Sequence, residues 1–205
     1  MYEKMIAAIV RQTQERQREI DKSSITTYKM LYSEGRAKTA YKAMMFARGV
    51  HGLQRRKYTN NPYEDHLAEV AGIVATVAPL DLADLADLMV SVAWLHDCVE
   101  DQDVTVTQLR AEFGDAVADG VRLLSDLEKG NRAERKALSR ARLADAPGWV
   151  QTIKCADLIS NTSSIVMHDP AFARVYLEEK RLLLDVLTEA DPRLLTLARM
   201  QASAA

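Results

Sequence analysis

The 205-residue chain has little of several things that would direct a fold or a location. Cysteine is nearly absent: Cys98 and Cys155 both lie inside apolar helical patterns. A disulfide framework needs a denser and differently spaced set, so reduced thiols in a cytoplasmic protein are expected. Glycine and proline are scarce, at eight and five residues, and no run of β-branched residues is bounded by turns. Long stretches carry helical spacing instead, which predicts an all-α fold. The N-terminal apolar run, Met5–Val10, is six residues long before charge sets in. That is too short for a signal-peptide core or a bilayer span, so no membrane partner is expected. Neither sign of charge dominates: a net charge of -2 and a pI near 6.1 argue against a global nucleic-acid surface. An anionic substrate would have to be drawn in locally, by a few Lys and Arg side chains or by a metal.

What is present is ordinary globular material, 48% apolar and 27% charged. The length fits one domain with an extension. Residues 1–35 read as an N-terminal helical extension, packed on the body or on a second subunit, so a homo-oligomer is among the expectations. Residues 36–205 read as the body. Apolar spacing predicts helices over 2–20, 24–34, 36–54, 62–77, 82–100, 105–113, 114–128, 132–145, 148–167, 170–188 and 191–202. Asn61-Pro62, Asp169-Pro170 and Asp191-Pro192 each read as a cap followed by a first-turn proline. Ser125–Arg132 reads as a polar loop near a site.

The chemistry concentrates in residues 89–105, MVSVAWLHDCVEDQDVT. An apolar helix runs into His96-Asp97 and then Glu100-Asp101, and on a continuous helix 96 and 100 share a face, as do 97 and 101. Burying even a neutral polar group without partners costs on the order of 2–7 kcal/mol. A metal would relieve that cost. Acidic residues at a helix C-terminus oppose the macrodipole, which favours a functional reason for Glu100 and Asp101. Further ligands must come from elsewhere. His66 opens an amphipathic helix after Pro62-Tyr63, and Asp157 interrupts an apolar helix face in TIKCADLISNT, with Glu69 as a substitute ligand. Two imidazoles and two carboxylates suit manganese or iron better than a structural zinc.

Four stretches stand in a familiar order: residues 40–74 (AYKAMMFARGVHGLQRRKYTNNPYEDHLAEVAGIV), 94–105 (WLHDCVEDQDVT), 112–127 (EFGDAVADGVRLLSDL) and 153–162 (IKCADLISNT). Together they resemble the hydrolase domain of RelA/SpoT-type enzymes in the form of the free-standing small alarmone hydrolases, over roughly residues 38–180. The resemblance implies an all-α HD-domain phosphohydrolase fold. It implies metal ligation by His66, His96, Asp97 and Asp157, and catalytic roles for Glu100 and Asp101 in orienting and deprotonating water. It places Arg55, Arg56 and Lys57 at the nucleotide, Asn161 at the ribose and phosphates, Arg132 at a phosphate and Tyr176 beside the base. Without it, Arg55–Lys57 would read as a surface charge run. The sequence departs from the family at Leu67, where proline usually stands, and at Gln102, where threonine usually stands. It also lacks the basic residue usually found directly after the last metal Asp, here Leu158. At this length there is no room for the synthetase and regulatory domains of the long enzymes.

The other conspicuous residues have plainer readings. His51 is expected to be structural, a hydrogen-bonding residue behind the site, and His168 an exposed helix-end residue. Trp94 and the Met44-Met45 pair read as core.

The resemblance implies Mn²⁺-dependent release of pyrophosphate from a small-molecule nucleotide, (p)ppGpp, leaving GDP or GTP. Fe²⁺ and Mg²⁺ are the other metals considered, and adenosine analogues the other alarmones. The rival enzymatic reading is an HD-type nucleotidase or dNTP phosphohydrolase. A second rival is a non-catalytic nucleotide-binding or toxin-neutralising protein, against which the complete ligand set argues.

Overall fold

A computed structural model describes residues 37–203, and helices are its only regular elements. The helices expected over 2–20 and 24–34 lie outside the described residues. In chain order the elements are α1 (Ala37–Val50), α2 (Glu64–Ala75), α3 (Ala83–Leu95), α4 (Cys98–Asp101), α5 (Val106–Phe113), α6 (Asp115–Leu124), α7 (Arg132–Ala144), α8 (Gly148–His168), α9 (Pro170–Leu184) and α10 (Pro192–Ser203). The all-α expectation holds.

Local chemistry sets most boundaries. Thr105 and Gln108 form a reciprocal capping box at the start of α5, and Asn131 and Glu134 form another at α7. The Asp169 side chain accepts from the Phe172 amide with Pro170 in the first turn of α9, as the Asp-Pro pattern predicts. Asp191 likewise accepts from the Arg193 amide ahead of α10.

Three expectations need correction. Asn61-Pro62 does not open a helix: Arg55 and Pro62 form an isolated antiparallel bridge, with Arg56 N–H donating to Asn61 O and Tyr63 N–H to Gln54 O. Asn60, at φ 58°, turns the chain between them, and α2 begins at Glu64. Proline after Asn61 disfavours helical backbone there, which suits the extended pairing. The second correction is a break in the helix expected over 82–100. His96 Nδ1 bonds the Ala93 carbonyl at 2.8 Å, taking up a terminal helix acceptor, and α3 ends at Leu95. Glu100 and Asp101 then sit on the separate four-residue α4. Third, Met44-Met45 is not core filling, since Met45 is 50% exposed.

The core that carries the site joins α2, α3, α6 and α8 through Leu67, Val70, Val92, Leu95, Val121 and Ile153. Fully burying one such side chain contributes about 1.5–3 kcal/mol. Gly120 allows α6 to lie close to its neighbours, because a Cβ there would sit 2.6 Å from the Trp149 ring and 3.0 Å from Val92. Trp94 is half-buried against this core, as expected. Gln151, fully buried on α8, donates to the Leu143 and Ala146 carbonyls and accepts from Glu189 N–H. It thereby fixes α8 to the end of α7 and to the turn before α10.

Candidate functional site

Three helices deliver four groups to one point. His66 comes from the first turn of α2, His96 and Asp97 from the end of α3, and Asp157 from the middle of α8. His66, His96 and Asp157 each offer a ligand atom within 4.8 Å of the others, and all three residues are buried. Asp97 joins them with Oδ2 3.0 Å from His96 Nε2 and 3.5 Å from His66 Nε2. Despite these short separations, neither Nε2 has a hydrogen-bond partner of proper alignment.

The other ring nitrogens explain why. His96 Nδ1 faces a backbone carbonyl and must carry a proton to bond it. Ser160 Oγ donates to Glu69 Oε2 at 2.6 Å, so its remaining capacity toward His66 Nδ1, at 2.8 Å, is as an acceptor. Both imidazoles are therefore protonated at Nδ1, and in the neutral ring Nε2 presents a lone pair beside two carboxylates. Two unpartnered buried nitrogens with carboxylate neighbours and fixed tautomers fit a divalent metal site of mixed N and O donors. Glu69 takes the role of anchoring Ser160 behind His66.

The surrounding charges are strongly perturbed. Burial pushes the His96 imidazole down, but the Asp97 and Asp157 carboxylates override it and hold its pKa well above the usual value. Burial raises Asp97 and Asp157; the imidazoles, and Lys154 beside Asp157, more than offset it and hold both acids well below the carboxylate range. Lys154 Nζ donates to Asp157 Oδ2 at 2.8 Å, and Asn161 Nδ2 to Asp157 Oδ1 at 2.6 Å. Tyr63 OH donates to Asp97 Oδ2 at 2.6 Å.

Beside this point opens a cavity of about 220 Å³ whose wall includes Asp97, Glu100, Asp101, Asp157, Asn161 and Tyr176. Glu100 Oε2 accepts the Asp126 amide at 2.9 Å, yet desolvation of its carboxyl raises its pKa. Arg132, Lys136, Arg140, Lys154 and Lys180 also line the cavity, interleaved with its carboxylates. Most are matched locally: Arg132 pairs with Glu179 through two hydrogen bonds, and Lys136 with Asp126. Lys180 is buried with Thr162 Oγ1 and Gln201 Oε1 as its hydrogen-bond partners among the described residues, and burial lowers its pKa to about 8. Burial also pushes Tyr176 up to about 12; its hydroxyl faces Thr162 Oγ1 at 3.3 Å.

The basic run lies at the rim. Arg55, Arg56 and Lys57 are not among the lining residues. Arg55 is exposed, Arg56 lies 5.8 Å over the Tyr63 ring, and Lys57 reaches Tyr58 OH at 3.1 Å and Asp169 at 3.8 Å. Lys57 and Arg132 both approach Phe172, at 5.9 and 5.2 Å from the ring centroid. His51 is buried behind the site and bonds Gln54, while His168 is exposed and stacks on Tyr58.

Sequence reasoning assigned no role to Lys154, Ser160, Tyr63, Phe172 or the Lys136–Arg140 pair. The only advance signal for the first two was a polar residue three positions either side of Asp157 on an otherwise apolar helix. Tyr63 stood inside the quoted motif without a stated partner.

The fold and site define an all-α domain that presents a His/Asp cluster able to hold a metal beside a cavity lined by both carboxylates and cations. Comparison with known proteins narrows this. The HD domain family model matches residues 43–148, just over half of the chain. A probable guanosine-3′,5′-bis(diphosphate) 3′-pyrophosphohydrolase of Synechocystis is 33% identical over 132 residues, covering 60% of this chain and 16% of that protein. The guanosine-3′,5′-bis(diphosphate) 3′-pyrophosphohydrolase of Drosophila melanogaster is 31% identical over 128 residues, covering 62% of this chain and 69% of that one. The chain thus spans under a fifth of the long bacterial relative and about two thirds of the fly protein. Among solved structures, a metazoan ortholog of SpoT described as hydrolysing ppGpp superposes with a TM-score of 0.70 at 24% identity, covering 80% of this chain and 93% of that one. The chain belongs to the HD-domain family, in its RelA/SpoT-type hydrolase branch. HD-domain hydrolases use divalent metals, and the triad of His66, His96 and Asp157 suits one. No helix among the described residues is long and apolar enough to cross a membrane.

Proposed function

We propose that this protein is a Mn²⁺-dependent (p)ppGpp 3′-pyrophosphohydrolase that releases pyrophosphate and leaves GDP or GTP, in a cytoplasmic setting. The observation that carries the proposal is the meeting, in one cavity, of the metal cage, a pair of acids and a set of cations. The substrate follows the kinship with the Drosophila enzyme, of which the chain covers 69%.

His66, His96, Asp97 and Asp157 would hold the metal. When bound, a divalent cation supplies Lewis acidity, drawing the pKa of water from about 15.7 towards 7 and polarising a phosphoryl oxygen. Glu100 and Asp101 orient the attacking water and take its proton. The water oxygen bonds the phosphorus nearest the ribose as the bond from that phosphorus to O3′ breaks. Pyrophosphate leaves and O3′ gains a proton. Asn161 fixes the ribose side and Tyr176 lines the base pocket. Arg132, with Lys136 and Arg140 beside it, neutralises phosphate charge, and Arg55, Arg56 and Lys57 steer the nucleotide from the rim. Lys154 supplies from within α8 the cation that the sequence lacks after Asp157.

The test is product analysis of purified protein with Mn²⁺ and ppGpp, beside a chelator control and a dNTP panel. Metal-dependent appearance of pyrophosphate and GDP supports the reading. Turnover of dNTPs or nucleoside monophosphates without ppGpp turnover moves the protein to the nucleotidase reading. Binding without turnover of any nucleotide would sink the enzymatic assignment.

A further inference from the structure

Asp101 is exposed at the end of the four-residue α4, so nothing in its own element fixes its carboxylate. What holds it comes from 47 residues away: Gln54 Nε2 donates to Asp101 Oδ2 at 2.8 Å. The same Gln54 side chain is held at its other end. Its Oε1 lies 2.5 Å from His51 Nδ1 and 2.5 Å from Gln102 Nε2.

Only one arrangement of protons satisfies all three contacts. A carboxylate cannot donate, so Gln54 must turn its NH₂ to Asp101 and its carbonyl to the other two partners. His51 must then carry its proton on Nδ1. Burial lowers the His51 pKa, which keeps the ring neutral. Its Nε2, buried and without a partner, is left as a bare lone pair. His51 itself is 1% exposed and stacks on Tyr63 at 5.1 Å with a 14° tilt, so the clamp has a rigid support. Gln102, the residue that departs from the family's usual threonine, provides the second grip on the Gln54 carbonyl.

We propose that Gln54 is a positioning residue for hydrolysis: its amide, gripped by His51 and Gln102, holds the Asp101 carboxylate in the orientation that takes the proton of the attacking water. The proposal rests on the reading of Asp101 as a proton acceptor. Gln54 is not among the residues lining the cavity, its side chain bonds His51, Asp101 and Gln102, and its effect on the reaction runs through Asp101. A misplaced catalytic group of this kind costs on the order of 10–100-fold in rate.

Two substitutions separate a donor's role from mere packing. Gln54→Glu keeps the volume and the acceptor oxygen for His51 and Gln102 but replaces the donor to Asp101 with a second anion. Gln54→Met keeps only the volume. Measured with Mn²⁺, both should lower kcat at least about tenfold, Gln54→Glu no less than Gln54→Met. KM and the Mn²⁺ affinity read by calorimetry should stay within about twofold. A Gln54→Glu protein with wild-type kcat beside a slowed Gln54→Met would assign Gln54 to packing and overturn the proposal. So would a loss confined to KM or to metal affinity.

Asp101→Asn, measured alongside, distinguishes failures: near wild-type turnover there removes the role of Asp101 itself. A collapse of Asp101→Asn with unaffected Gln54 variants removes only that of Gln54. Independently of any substrate, a crystal structure of Gln54→Met should show the Asp101 carboxylate displaced or in several rotamers. An unmoved, ordered carboxylate would overturn the proposal whatever the enzyme hydrolyses.

Discussion

The proposed metal cage and the basic residues around it are built in opposite ways. In the cage, His66, His96 and Asp157 are buried, Asp97 is half-buried, and each is held by a specific partner: His66 by Ser160, His96 by the Ala93 carbonyl, Asp97 by Tyr63, Asp157 by Lys154 and Asn161. At the rim, Arg55 and Lys57 are exposed, and Arg132 is an exposed side chain gripped by Glu179 and lying over Phe172. A buried polar group that loses a partner keeps its full desolvation cost, whereas an exposed ion pair is worth about 0–1 kcal/mol. The two regions should therefore answer mutation on different scales. The cage should behave as all or nothing, and the rim by increments.

The largest effect should come from the cage ligands. Asp97→Asn or His96→Ala should lower turnover by about 10³-fold or more and abolish tight Mn²⁺ binding. Turnover close to wild type in either variant would refute the site assignment. Next comes Lys154→Met, which removes the largely buried cation that pairs with Asp157 and also bears on Asp126 and Glu100. Removing one partner of such a buried arrangement costs about 3–5 kcal/mol, to be read in urea unfolding of the metal-free protein. A loss below 1 kcal/mol would mean that Lys154 is solvated like the rim cations and the contrast is false. Ser160→Ala frees the His66 ring without touching a ligand. Calorimetry should then give a Mn²⁺ affinity weaker by about 10–100-fold. Arg132→Ala should have the smallest effect, a rise in KM of a few-fold with kcat nearly unchanged, because Glu179 already offsets its charge. A collapse of kcat there would place Arg132 at the reacting phosphate and make the rim part of the chemistry.

How much of this was legible in the sequence follows the same division. The four groups of the cage could be read because each sits in a short local pattern: Pro-Tyr-x-x-His, His-Asp-x-x-Glu-Asp, and an Asp inside an apolar run. The all-α architecture followed from spacing, and the α9 cap from the Asp169-Pro170 pair. The end of α3 was not legible, because no Gly or Pro marks it and the His96 side chain takes up the Ala93 carbonyl through a contact that apolar spacing does not announce. Nor was the pairing of Arg55 with Pro62, which a charged run followed by a proline does not announce. The supporting contacts were hidden for a different reason. His66 with Ser160 and Gln54 with Asp101 join residues 94 and 47 positions apart, and only the packing of α2 on α8 and the turn after α1 bring them together.

The single helix α8 has a consequence for how such a protein can change over generations. Within nine residues it carries Lys154, Asp157, Ser160, Asn161 and Thr162, and Asn161 donates directly to Asp157, the proposed metal ligand. A substitution at Asn161 that altered which nucleotide is accepted would disturb Asp157 in the same stroke, so on α8 selectivity and metal affinity are inherited as one trait. The walls supplied by α7 and α9, where Arg132, Lys136, Arg140 and Tyr176 stand clear of the ligands, carry no such linkage. New substrate preferences should arise there first, on a metal centre that stays the same.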